Sequence, residues 1–111
     1  DVYCVVSIAG GPKQDRGHRK SKTANNTKAP QFNETFSFPL AVPELAVVTL
    51  EFWDDDTVSG DDYLGHVSLP VQEVKIHQTL DIPLLSESLT LWTKGGGQAF
   101  VKVSFDFEEA S

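Results

Sequence analysis

The chain has 111 residues, a formal net charge of −7 and a hydrophobic content of 40%. These values predict one folded domain over residues 1–111 and argue against extensive disorder. Cys4 is the only cysteine, so no internal disulfide can form and a reducing, cytoplasmic compartment is favoured. No apolar run approaches the ~20 residues of a membrane-spanning helix. The chain opens on Asp1, and we expect it to be part of a longer protein.

Apolar residues alternate with other residues along most of the chain, which predicts β-strands. A shorter polar strand is expected at 20–24, a helical turn at 71–78 and a flexible turn at 95–97. The alternating stretches are, in chain order, 2–8, 32–40, 48–52, 63–69, 80–84 and 101–107. About seven short strands separated by turn residues are typical of an all-β, antiparallel β-sandwich.

Charge is divided unevenly along the chain. Residues 1–30 contain six basic and two acidic residues, whereas the remainder contains three lysines and fourteen acidic residues. A basic stretch and an acidic stretch in one small domain predict two separate electrostatic sites. The alternative is two solvated faces that differ in charge by chance.

The acidic stretch is concentrated in one loop between two predicted strands. The segment WDDDTVSGDDYLG, residues 53–65, contains five aspartates and no lysine or arginine. Unit charges about 4 Å apart repel by about 1 kcal/mol in water, so a bound cation would relieve the loop. Hard carboxylate oxygens without cysteine favour Ca²⁺ over Zn²⁺, and the spacing does not fit an EF-hand.

The same segment resembles the third loop of C2 domains, with Asp54, Asp56 and Asp62 on the metal positions of that loop. Two further segments are similar to C2 strands: DVYCVVSI at the start, and KAPQFNETFSFPL at residues 28–40. The stretches VPELAVVTLEFWD and FVKVSFDFEE look most like the C2 domains of phosphoinositide-specific phospholipases C. The resemblance covers essentially the whole chain. It implies a C2-type sandwich whose first strand would precede Asp1 and is not contained in this chain.

The resemblance also implies a function and a set of site residues. The expected metal ligands are the carboxylates of Asp1, Asp54, Asp56 and Asp62 and the main-chain oxygen of Asp55. Calcium held there would bridge to the headgroups of an anionic phospholipid membrane, to which the protein would bind peripherally. Val58 in the middle of the loop is expected to dip into the interface.

The basic stretch provides a second candidate site. In C2 domains a lysine-rich strand can bind phosphoinositide headgroups, and Lys20 and Lys22 are expected to share one strand face. A soluble, solvated loop is an equal alternative. Nucleic acid is not an expected partner, because the domain is acidic overall and no aromatic residue is interleaved with the cluster.

No serine or cysteine nucleophile is accompanied by a base and an orienting group, so the chain is interpreted as a binding domain rather than an enzyme. Its parent could be an enzyme of lipid signalling, such as a phospholipase C. The competing hypothesis is a metal-independent C2-like scaffold that binds a protein partner. A hydrolase that uses paired aspartates is weakly supported.

Overall fold

A computed structural model describes residues 1–24, 31–56, 58–73, 79–83, 93–94, 97–98 and 100–107. These residues form eight strands and three short 3-10 helices, Lys13–Asp15, Pro43–Leu45 and Val71–Glu73. The strands are β1 (Val2–Ala9), β2 (Gly17–Lys20), β3 (Val47–Asp54), β4 (Asp62–Pro70), β5 (Thr79–Pro83), β6 (Thr93–Lys94), β7 (Gly97–Gln98) and β8 (Phe100–Ser104). In this part of the chain no helix is long and apolar enough to cross a membrane.

The largest sheet has four antiparallel strands in the order β2-β1-β3-β4. Its long central pair runs from Val2 opposite Asp54 to Ala9 opposite Val47. Even-numbered residues of β1 and β3 therefore face one side of the sheet, and their apolar side chains are buried, with Val2 partly so. Two residues in a left-handed conformation, Gly10 and Gly11, form the turn that ends β1.

A second layer covers this apolar face. β5 pairs with β8, and β6 pairs with β7, both in antiparallel fashion. Partly buried side chains of the β5–β8 layer, together with Phe105, pack on the core of the large sheet: Ile82, Val101, Val103 and Phe105. Cys4 belongs to the same core, 4% exposed, and burial raises the pKa of its thiol to about 12. The prediction of an all-β, antiparallel sandwich is confirmed.

The predicted strand at 32–40 is wrong in one respect, because the structure assigns no strand to residues 31–40. Exposure still alternates residue by residue along this segment, and its apolar side chains pack on the core: Phe32, Phe36, Phe38 and Leu40. Asn33 has a φ of 50°, a left-handed conformation that interrupts an extended backbone. Side chains hold the segment instead: Glu34 accepts the Lys22 N–H at 2.8 Å, and Arg19 lies 5.0 Å from the centre of the Phe38 ring.

The predicted polar strand at 20–24 is also displaced. The observed strand β2 ends at Lys20, and beyond it a backbone bond from the Ser21 N–H to the Cys4 carbonyl at 2.8 Å and an isolated bridge between Val2 and Ala24 continue the pairing. The register shifts by one residue between them, because Val5 faces Lys20 whereas Val2 faces Ala24. Ser21 fills the irregularity, since its hydroxyl accepts the Cys4 N–H at 2.8 Å and donates to the Lys22 carbonyl at 2.9 Å. Lys20 and Lys22 therefore do not lie in one continuous strand.

A buried carboxylate ties the 3-10 helix Lys13–Asp15 to the loop that follows residue 40. Asp15 is 5% exposed, and its two oxygens accept the backbone N–H groups of Ala41 and Val42, each at 2.8 Å. A donor that is shielded from water and left without an acceptor lowers the free energy of unfolding. Asp15 is therefore a structural acid at the end of the molecule remote from the acidic loop.

Asp15→Ala should lower the free energy of unfolding by about 1–3 kcal/mol, because it leaves two part-buried N–H groups without their acceptor. Asp15→Asn should lose less, since the amide keeps one acceptor oxygen. Urea denaturation measures both. Gln14→Ala, an exposed position on the same helix, is the matched control and should change stability by less than about 0.5 kcal/mol. Equal losses for Asp15→Ala and Gln14→Ala would contradict this role for Asp15.

Candidate functional site

The register of the large sheet brings acidic residues from three places in the sequence to one end of the sheet, where β1 and β4 begin and β3 ends. Asp54 ends β3 and faces Asp62, the first residue of β4. Asp1 lies beside them, because its carbonyl accepts the Asp55 N–H at 2.7 Å and its amino group donates to Asp54 Oδ1 at 2.9 Å. The predicted ligands Asp1, Asp54 and Asp62 thus sit at three neighbouring strand ends.

Asp56 organises the tip of the loop between β3 and β4. Its Oδ1 accepts the Val58 N–H at 2.9 Å, and its Oδ2 accepts the Ser59 hydroxyl at 2.7 Å. These hydrogen bonds, first the one from the Val58 backbone, lower the pKa of Asp56. Gly60 follows with a φ of 87°, a turn conformation that suits glycine. The tip is consequently a tight turn built around a carboxylate that stays ionised at neutral pH.

Asp61 is not among the predicted ligands, and the structure connects it to the sheet. Its Oδ2 accepts the Tyr3 hydroxyl at 2.5 Å, and its Oδ1 accepts the Asp56 N–H at 3.2 Å. The bond from Tyr3 is the main reason that the pKa of Asp61 is lowered. Lys20 completes the contact, because its Nζ lies 4.1 Å from the centre of the Tyr3 ring.

Tyr3 is unusual because it is buried on the outer face of the sheet, opposite the core. It is 7% exposed, and its strand partner on that face is Trp53. A register shift between Phe52 and Trp53 turns Tyr63 toward the same face, where its ring meets Trp53 edge-on at 5.3 Å. The sequence signal was available: odd positions of β1 and β3 point outward, and two of them near the acidic loop are aromatic.

The second predicted group of site residues is solvent-exposed. Lys20 and Lys22 are both exposed, although Lys20 leans on Tyr3 and the Lys22 backbone is bound to Glu34. Val58 is 94% exposed at the loop tip. His66 follows the acidic loop, and its Nδ1 lies 2.5 Å from the Tyr63 hydroxyl, in a contact within the sheet.

The donor chemistry at this end of the sheet fits calcium, because every candidate ligand atom is an oxygen. The side-chain orientations do not yet converge on one point: among the described residues no three acidic, histidine or cysteine side chains are grouped to hold an ion. Asp56 and Asp61 are turned toward hydrogen-bond donors of the loop and of Tyr3. The backbone thus gathers the acids, whereas the carboxylates of Asp56 and Asp61 point to internal partners.

Fold and site together define a binding module: an antiparallel sandwich that presents an acidic loop at one end of its main sheet. The chain belongs to the C2 domain family, whose family model matches residues 1–86. Both findings confirm the resemblance that the loop and strand motifs indicate.

The similar proteins include phospholipases C of plants and a mammalian relative. The chain is 41% identical over 75 residues, 68% of its length, to phosphoinositide phospholipase C 7 of Arabidopsis thaliana. It is 43% identical over 74 residues, 67% of its length, to phosphoinositide phospholipase C 2 of the same plant. Inactive phospholipase C-like protein 2 of Mus musculus is 40% identical over 73 residues, 65% of the chain. The matches span 13% of each plant protein and 6% of the mouse protein.

The Tyr3–Asp61 hydrogen bond predicts an abnormal tyrosine titration. The acceptor carboxylate, followed by burial, raises the pKa of Tyr3 from 10.0 to about 12. Because the folded pKa is raised, this contribution to stability is complete below pH 10 and is lost as the pH rises through about 12. Tyrosinate absorbance should therefore show a late-ionising group that Asp61→Asn shifts toward the normal value. Tyr63→Phe should leave that group in place, and its disappearance in Tyr63→Phe would contradict the assignment to Tyr3.

Proposed function

We propose that this chain is a calcium-dependent module for binding anionic phospholipid surfaces. The observation that supports the proposal is the meeting of Asp1, Asp54 and Asp62 at three adjacent strand ends, with Asp56 in the loop that joins two of them. Like charges so placed repel one another, and a divalent cation would remove the repulsion. Membership of the C2 family agrees with this use of the loop.

The residues would divide the work as follows. The carboxylates of Asp1, Asp54, Asp56 and Asp62 would hold the ion, with the main-chain oxygen of Asp55 as a further ligand. A bound calcium ion supplies the positive charge that lipid phosphate oxygens need in order to approach an acidic loop. The role of the chain is to keep these oxygens together at one end of a rigid sheet.

An apolar contact with the membrane would add to the electrostatic one. Val58 lies at the tip of the acidic loop and is 94% exposed. Transfer of one valine side chain out of water is worth about 1.5–3 kcal/mol at most. Val58 would therefore strengthen attachment without being sufficient for it.

The exposed basic residues suggest a lipid preference. Lys20 and Lys22 would contact anionic headgroups, including phosphoinositides, and each basic group near an anionic membrane is worth about 1 kcal/mol. Since the strand ends at Lys20, the two lysines would act as separate contacts rather than as one ladder. We further propose a cytoplasmic parent protein of lipid signalling, such as a phospholipase C, which this domain attaches peripherally to its membrane.

One observation favours a second candidate, a metal-independent scaffold for a protein partner. Within the described residues internal donors bind the carboxylates of Asp56 and Asp61, and no three acidic side chains converge. A loop that is complete without metal could serve as a rigid protein-binding surface. The dependence of membrane binding on calcium separates the two candidates.

Sedimentation with phosphatidylserine vesicles tests the main proposal. The chain should pellet with the vesicles in calcium and remain in the supernatant with chelator. Asp54→Asn combined with Asp56→Asn should abolish calcium-dependent pelleting, because two ligand charges are removed while each amide keeps an acceptor oxygen for the loop.

The matched control neutralises two exposed acids, Glu44→Gln with Glu73→Gln. Glu44 precedes β3, at the opposite end of that strand from Asp54, so the net charge changes equally but the loop does not. This variant should pellet as the unaltered chain does. Equal pelleting of the unaltered chain in calcium and in chelator, or no pelleting in either, would favour the scaffold.

Val58→Ser should weaken calcium-dependent vesicle binding about three- to tenfold, since a hydroxyl replaces the apolar surface that would enter the interface. Leu45→Ser is its control, because Leu45 is 57% exposed on the 3-10 helix that precedes β3. Binding isotherms against vesicle concentration measure the difference. A loss in Leu45→Ser as large as that in Val58→Ser would argue against insertion of the loop tip.

A further inference from the structure

Tyr3 is the one described side chain that joins the sheet directly to Asp61 of the acidic loop. It is buried in β1, and its hydroxyl donates to Asp61 Oδ2 at 2.5 Å. Asp61 in turn accepts the Asp56 N–H, and Asp56 accepts the Val58 N–H and the Ser59 hydroxyl. The turn at the loop tip is therefore linked, through two carboxylates, to a residue that the packing of the sheet immobilises.

This chain of hydrogen bonds turns the carboxylates of Asp56 and Asp61 toward internal donors. In the described part of the chain no three acids are grouped to hold an ion, although the backbone places Asp1, Asp54 and Asp62 side by side. Convergence on a cation therefore requires the loop to rearrange. The bonds that fix the present arrangement oppose that rearrangement, and the one from Tyr3 is to an ionised acceptor, a stronger class of hydrogen bond.

We propose that Tyr3 is a positioning residue that holds the acidic loop closed and thereby lowers the affinity of the loop for divalent cations. The inference concerns the same site as the proposed function and rests on it. Lys20 supports this arrangement of the loop, because its Nζ lies over the face of the Tyr3 ring, 4.1 Å from the ring centre. The cation on the ring and the carboxylate at the hydroxyl both favour one orientation of Tyr3.

Linkage determines the sign of the effect. A hydrogen bond present only in the closed loop stabilises the metal-free protein and must be given up on binding, so its removal favours binding. A merely structural tyrosine would instead stabilise the free and bound protein equally and leave affinity unchanged. Tyr3→Phe separates these roles because it removes the hydroxyl without altering charge or ring packing.

The first measurement needs no metal. Amide hydrogen exchange of the 111-residue chain in chelator should show faster exchange at Val58, Ser59 and Asp56 in Tyr3→Phe than in the unaltered chain. The control is Tyr63→Phe, which removes a hydroxyl that bonds His66 on the same sheet. Unchanged exchange at these three amides in Tyr3→Phe overturns the proposal.

The second measurement is calorimetric titration with calcium alone. Tyr3→Phe should bind calcium about three- to tenfold more tightly than the unaltered chain, and its melting temperature should be lower in chelator but equal at saturating calcium. Unchanged or weaker affinity overturns the inference even when the proposed function holds. Faster loop exchange without calcium uptake by either protein supports the closing role of Tyr3 and overturns the proposed function, so the two failures are distinct.

Discussion

The antiparallel register of β1, β3 and β4 is the constraint from which the rest of the molecule follows. With Val2 opposite Asp54 and Ala9 opposite Val47, the even positions of the central strands form a continuous apolar face. The same register aligns the ends of the strands, so that Asp1, Asp54 and Asp62 become neighbours. A shift by one residue would move the core side chains into solvent and separate the acids. Stability and site geometry therefore depend on the same pairing.

Hydrogen-bond donors offset part of the charge repulsion among the acids at this end of the sheet. Asp56 accepts from its own turn, and Asp61 accepts from Tyr3. Each donor stabilises an ionised carboxylate, and the lowered pKa values of Asp56 and Asp61 express that stabilisation. The loop thus has two ways to offset its charge repulsion, internal donors and an external cation. Competition between them sets how readily the loop would accept an ion.

Much of this architecture is encoded in simple patterns. Period-two alternation predicts β1, β3 and β4 to within about two residues, because one buried face imposes it. It fails at residues 31–40, where alternation reports which side chains face the core but carries no information on backbone partners. The polar strand predicted at 20–24 also differs from the structure, because the register shifts after Lys20 and the Ser21 hydroxyl adds side-chain bonds there. Hydrogen-bond pairing is a property of two segments, and a periodic pattern describes only one.

The candidate site shows the same division. Clustered aspartates and their spacing point to calcium and to the C2 family, since both depend on residue types that are adjacent in the sequence. The contact of Asp61 with Tyr3 joins residues 58 positions apart, and no local pattern encodes it. Its effect is to connect two regions of opposite charge, because Tyr3 carries Lys20 on its ring and Asp61 on its hydroxyl. The two electrostatic sites that the charge distribution separates are therefore in contact through one aromatic residue. A change in the charge of the acidic loop would thus alter the electrostatic environment of Lys20.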